Sequence, residues 1–214
     1  FLLSFVFGTI AKVEVGDTPH LLFTIAGMCS WNYFSAVFAQ AGSSIIGAQN
    51  MIKKIYFPRL IIPLSKALTA LVDFAIVLFL LFALLSYYRY PVGTSLLWLP
   101  FFMAMTILTG LTGGIWMSVL TIRYRDFQHT IPFLLRIGLF VTPIAFPVSA
   151  VPENYKLLFF LNPMVGIVEG FRWSVLGLGQ LDPYTWISFA LIGCLFFAGL
   201  FYFHRVEKIM ADIL

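Results

Sequence analysis

Charge is what this sequence has least of. Asp, Glu, Lys and Arg make up 10% of its 214 residues, against 61% hydrophobic ones, whereas a soluble domain carries roughly 25% charged residues. So few charges cannot cover a water-facing surface on a chain of this length. The two cysteines, Cys29 and Cys194, both lie inside apolar runs, which excludes a disulfide framework. The three histidines, His20, His129 and His204, are scattered with no metal-ligand spacing. No Gly-rich phosphate loop, nucleophile elbow or Cys/His cluster is present. No cofactor or metal is expected in this chain, and any nucleotide-driven work requires a site on another one. The net charge of +4 is modest, and no nucleic-acid partner is expected from it.

What the sequence does have is long apolar segments. A bilayer-crossing helix needs about 20 predominantly apolar residues, and candidates fall at 21–47, 60–88, 95–121, 131–148 and 184–204. The opening, FLLSFVFGTIA, reads as the last part of an earlier span over 1–11 whose beginning is missing. A cleaved signal peptide is the competing explanation, and AKVEVGD is a poor cleavage site for one. Six spans are therefore expected in the parent protein, the first truncated. The fold class is an all-α integral membrane protein in one transmembrane domain over 1–214.

Cations alternate between the connections. Lys53, Lys54, Arg59, Arg123, Arg125, Arg205 and Lys208 fall on one side, and Lys12, Arg89, Lys156 and Arg172 on the other. Lys66 and Arg136, a turn or two into spans, would snorkel toward the richer side. The positive-inside rule then places 48–59, 122–130 and the C-terminus in the cytoplasm.

The stretch 142–184 is the least regular. Pro143 and Pro147 remove backbone donors and should kink or end the fifth span. Two short apolar pieces follow at 152–161 and 163–177, with Asn162 suited to an N-cap and Pro163 to a first helical position. Each is too short to span, so the pair is expected to form an outer or re-entrant hairpin over 152–177. Gly166, Gly170 and Gly177 would let that hairpin move. Small residues recur at four-residue spacing as Gly110, Gly114 and Ser118, and as Ala39, Ser43 and Gly47. Both faces are expected to pack against neighbouring helices.

Charge inside a span is costly, which singles out Asp73. Lys66, seven residues earlier, is about 10.5 Å away along the axis, so Arg136 is the candidate partner. One acid does not make a proton relay, and an inter-helix tie is the expected role. Glu169 and Arg172, three apart, are placed to pair. Aromatic residues reach 18%. Most are expected in interfacial belts, although Trp31, Tyr33 and Phe34 would equally serve as stacking surfaces in a sugar-passing channel.

Trp31, Tyr33 and Phe34, then the loop of Asn50, Lys54, Ile55, Phe57, Pro58 and Arg59, then the segments 122–147 and 161–177, taken in that order, resemble type 2 ABC exporter permeases, and more narrowly those exporting O-antigen, capsular polysaccharide or teichoic acid. Trp31, Tyr33 and Phe34 resemble that family's aromatic run, and Asn50, Lys54, Ile55, Phe57, Pro58 and Arg59 its basic Phe-Pro-Arg loop. IRYRDFQHTIPFLLRIGLFVTPIAFP resembles its fifth-span entry, and LNPMVGIVEGFRWSVLG its outer gate segment. The resemblance runs through nearly all of the chain.

It implies a homodimer of six-span subunits enclosing a channel, in the bacterial inner or plasma membrane. Two cytoplasmic ATPase subunits would hold ATP and Mg. The substrate would be a lipid-linked glycan, with membrane lipid as the surroundings. The ATPase contact would comprise Asn50, Lys53, Lys54, Phe57, Pro58, Arg59, Arg123, Arg125 and Asp126, and the outer gate Asn162, Pro163, Met164, Glu169, Arg172 and Trp173. The family's N-terminal amphipathic helix and most of its first span are absent. Competing readings are a permease for small hydrophobic compounds such as drugs, a membrane enzyme acting on lipid-linked sugars, and a proton-coupled carrier. The first usually carries large soluble insertions, the second needs clustered acids or histidines at one face, and the third needs an inverted repeat and several buried acids. This chain has none of these.

Overall fold

The computed structural model describes residues 18–52, 54–55, 57–124 and 126–207. The partial span expected over 1–11, and Lys53 and Arg125 of the expected ATPase contact, lie outside them. The described residues form helices with no strand. In chain order these are α1 (His20–Gly47), α2 (Gln49–Ile52), α3 (Ile61–Tyr87), α4 (Leu99–Arg123), α5 (Phe127–Val141), α6 (Glu153–Phe160), α7 (Pro163–Leu176) and α8 (Thr185–Glu207). One-turn 3-10 segments precede α4 at Thr94–Trp98 and α6 at Val148–Ala150.

Four helices are long and apolar enough to cross a membrane: α1, α3, α4 with its 3-10 lead-in, and α8. They coincide with four of the expected spans to within a few residues. The fifth departs from expectation. Helix α5 has 15 residues and stops at Val141, about 22 Å at 1.5 Å per residue, short of the roughly 30 Å hydrocarbon core. The cause is local. Thr142, preceding Pro143, is extended (φ −92°, ψ 137°), as the proline ring demands of its predecessor. The chain then runs non-helically to Pro147.

Helix α1 is the hub and packs chiefly on α4 and α3. With no hydrophobic force between helices in lipid, close backbone approach does this work. Cβ atoms added at Gly110 and Gly114 of α4 would lie 3.0 Å from Tyr33 and 2.8 Å from the Ala41 Cβ, so the expected small-residue face does meet α1. The α1 face that receives it is Tyr33–Val37–Ala41, not Ala39–Ser43–Gly47. Ser43 is exposed, and nothing lies within 4 Å of a Cβ at Gly47. Spacing identifies a face but not the direction it points.

Several polar side chains inside the bundle are satisfied by main-chain carbonyls. Across helices, Tyr33 donates to Ala67 O (3.3 Å), Trp116 Nε1 to Leu195 O (2.9 Å) and Thr121 to Gly42 O. Large apolar side chains left exposed on α3 (Leu68, Val72, Ile76, Phe79), α5 (Phe133, Ile137, Phe140) and α8 (Phe197, Phe201) suit a hydrocarbon surrounding.

Candidate functional site

The non-helical stretch after α5 creates an unusual need. It frees main-chain carbonyls that must be bonded wherever water is excluded. Arg172, on α7 and only 2% exposed, meets it. Its Nη2 donates to Pro143 O at 2.7 Å and to Ile144 O at 3.0 Å, and its Nη1 to Glu169 Oε2 at 3.4 Å. The guanidinium carbon sits 3.6 Å from the centroid of the Phe23 ring on α1, a cation–π arrangement. One side chain thus joins three segments. Gly27 permits the approach, since a Cβ there would lie 2.7 Å from Arg172 Nη2.

The expected hairpin forms from α6 and α7. Asn162 caps α7, its Oδ1 accepting from the Met164 amide at 3.1 Å with Pro163 at the first helical position. Such a cap contributes about 1 kcal/mol. The Asn162 amide group also donates to Thr142 Oγ1 at 3.1 Å, fastening the turn to the break after α5. Met164 is buried, and Trp173 packs edge-on against Phe102. Two of the expected hinge glycines are packing positions instead. A Cβ at Gly166 would lie 2.6 Å from the Ser188 Cβ, and one at Gly170 only 1.9 Å from Phe102 Cε1. Gly177 ends α7 with φ +65°, a left-handed conformation that favours glycine. At this same end Lys156 bonds Glu153 (2.6 Å) and Asp182 (3.2 Å). Those hydrogen bonds, Glu153 first, hold its ammonium above the ordinary lysine range.

The opposite end gathers the 48–59 loop, the α4–α5 turn and the end of α8. Asn50, Lys54 and Pro58 are exposed there, as are Arg123 and Asp126, while Phe57 packs against an apolar cluster containing Ile62, Val119 and Phe203. Arg59 is turned inward. Its amide donates to Glu207 Oε1 at 3.0 Å and its guanidinium to the Glu207 carbonyl. Arg123 donates to Tyr202 Oη at 3.2 Å. The residues that sequence reasoning missed are Glu207 and Tyr202. Glu207 carried a faint signal as the acid within the basic run 204–208.

The intramembrane charges are not tied to one another. Lys66, Asp73 and Arg136 are all exposed on the chain's surface, and no ion pair among the described residues includes any of them. The expected Asp73–Arg136 tie is thereby corrected: the two residues lie on α3 and α5, and no ion pair joins them. Asp73 instead borders a hollow of about 320 Å³ with Cys29, Asn32 and Val77. Lys66 borders another of about 550 Å³, with Gln40, Ser43 and Ser65. Replacing Asp73 by Asn removes a charge that no described side chain offsets with an ion pair, so the yield of solubilised protein is expected to stay level or rise. A sharp fall on size-exclusion chromatography would instead reveal a partner on another chain.

The aromatic trio also lies differently from expectation. Trp31 and Tyr33 are 5% and 2% exposed. Trp31 closes over Gly138 of α5, and Tyr33 lies against Phe74 of α3 with ring centroids 5.1 Å apart. Phe34, half-buried, links Trp31 to Phe38. Within one chain these rings are packing elements of α1.

Residues 1–176 match the family described as ABC-2 type transporter. An "O-antigen export system permease protein RfbA" of Klebsiella pneumoniae is 25% identical over 213 residues, covering 98% of this chain and 81% of that protein. A protein of the same name from Myxococcus xanthus is 25% identical over 176 residues, covering 78% of this chain and 64% of that protein. A second Klebsiella pneumoniae protein of that name is 24% identical over 213 residues.

Proposed function

From the premise that this chain belongs to the ABC-2 type transporter family, we propose that it is the membrane-spanning subunit of an ATP-driven exporter. Its cargo in this reading is a lipid-linked polysaccharide or polyol phosphate. The observation that carries the proposal is likeness, over 98% of this chain and 81% of theirs, to proteins named as O-antigen export permeases. The chain works as a homodimer with two cytoplasmic ATPase subunits, which bind the ATP and Mg. It lies in the inner or plasma membrane of a bacterium, with the α8 end cytoplasmic.

The two ends of the bundle suit different tasks. The end bearing Asn50, Lys54, Arg59, Arg123 and Asp126 is rich in exposed polar groups beside a half-buried Phe57, the composition expected of a protein-docking surface with an aromatic anchor. The other end carries the α6–α7 hairpin, which serves as the outer gate. Asn162, Pro163 and Met164 set its turn, and Glu169, Arg172 and Trp173 hold it to the bundle. The chain itself performs no bond chemistry. It supplies a path through hydrocarbon for a polar head group, and hydrolysis in the partner drives opening.

Two measurements test the proposal. In cells lacking the chain, surface polysaccharide should vanish and return on complementation; unchanged polysaccharide would refute the cargo. Arg59→Glu places a second carboxylate against Glu207 and removes a cation from the docking end. Co-purification with the ATPase subunit should fall roughly tenfold, about 1.4 kcal/mol, and full retention would remove this loop from the contact.

A further inference from the structure

The end of the bundle that carries α6 and α7 holds a cavity of about 580 Å³, inside the range of roughly 300–1,000 Å³ typical of small-molecule sites. Its wall has charged side chains of both signs in equal number, Lys156 and Arg172 against Glu169 and Asp182. They are already paired, Lys156 with Asp182 at 3.2 Å and also with Glu153 at 2.6 Å, and Arg172 with Glu169 at 3.4 Å. Two rings, Phe23 and Trp173, share the wall.

This chemistry selects by exclusion. An anion such as phosphate would meet a carboxylate beside each cation, and unpaired like charge is how sites reject a ligand. A wholly apolar ligand would strip water from Lys156, Glu169 and Asp182 and return no hydrogen bonds. A neutral ring bearing hydroxyls meets neither penalty. Each hydroxyl both donates and accepts, so it can give a hydrogen bond to Glu169 or Asp182 and take one from Lys156. Of the two rings, Phe23 is already covered by Arg172, and the half-buried Trp173 is left to cover the ligand's apolar C–H surface.

We propose that this cavity binds one neutral sugar ring. The export reading above supplies the source of that ring, a unit of the passing polymer, while the recognition chemistry rests on the cavity alone. Leu178 to Pro183 form one side of the cavity. The chain enters that segment through Gly177 and leaves Gly179 with φ +63°, so two left-handed residues set the lip against the end of α7.

The test uses the full chain purified in detergent micelles, with free mannose, galactose and N-acetylglucosamine as probes and inorganic phosphate as the anionic comparator. Saturation-transfer NMR should show contact with at least one of the neutral sugars, and phosphorus line widths should show none with phosphate. Asp182→Asn keeps the Oδ1 that accepts from the Tyr184 amide at 3.0 Å but replaces the Oδ2 acceptor by an amide donor. Neutral-sugar affinity should then fall roughly tenfold, while phosphate stays excluded because Glu153 still pairs Lys156 at 2.6 Å. Trp173→Phe, a smaller ring, should weaken sugar contact without admitting phosphate. The proposal is overturned if no neutral sugar binds, if wild-type protein prefers phosphate, or if neither substitution changes the transfer. Surface polysaccharide in complemented cells separates the two readings. Restored polysaccharide without sugar binding defeats the cavity alone, and sugar binding without restored polysaccharide defeats export alone.

Discussion

Arg172→Ala should cost about 3–5 kcal/mol of folding stability, the usual consequence of removing one partner from a buried ionic contact. The carbonyls of Pro143 and Ile144 and the carboxylate of Glu169 would lose the donor they share, and Phe23 would lose the cation over its ring. The expected result is a collapse of the monodisperse fraction after detergent extraction and a large drop in thermal midpoint. Arg172→Lys keeps the charge but replaces a planar fork by a point donor that cannot serve both carbonyls and the ring together, so it should fall between. An unchanged midpoint in Arg172→Ala would mean that the break after α5 is held by other contacts.

Gly170→Ala is the second large effect. A Cβ at 170 would lie 1.9 Å from Phe102 Cε1, 2.5 Å from Cδ1 and 2.7 Å from Cζ. Phe102 cannot swing away freely, because it is 1% exposed and in ring contact with Phe101, Trp173 and Phe189. Overpacking of this kind costs about 1–3 kcal/mol or more. Phe102→Leu in the same chain should recover part of the loss, so the two substitutions should be non-additive. Strict additivity of the thermal shifts would show that α7 relaxes instead of the ring.

What was legible in the sequence follows from which quantities a sequence encodes. Span existence is a matter of apolar length, and α1, α3, α4 and α8 fall where the runs predict. The Asn162–Pro163 helix start was legible because capping uses a side chain and its immediate neighbours. The Glu169–Arg172 pair was legible because a helix fixes what lies three residues apart. The acceptors of Arg172 were not, since carbonyls carry no residue signature. Nor was the direction of the Ala39–Ser43–Gly47 face, because periodicity is blind to rotation about the helix axis. Asp73 was misassigned for a related reason: a costly charge announces itself in sequence, but its surroundings depend on which helices adjoin. Gly166 and Gly170 were read as freedom and turn out to be proximity.

The bonds from Arg172 to the carbonyls of residues 143 and 144 also bear on how relatives should be compared. A main-chain acceptor is the same atom whatever side chain hangs beside it. Substitution at 144 is free to vary so long as the buried volume is kept, and no compensating change at 172 would be required. Statistics that infer contacts from correlated substitutions will therefore find no pairing between 144 and 172, although this is one of the most heavily bonded junctions described in the chain. The fastening of the α6–α7 hairpin to the bundle is written in backbone, and alignments read only side chains.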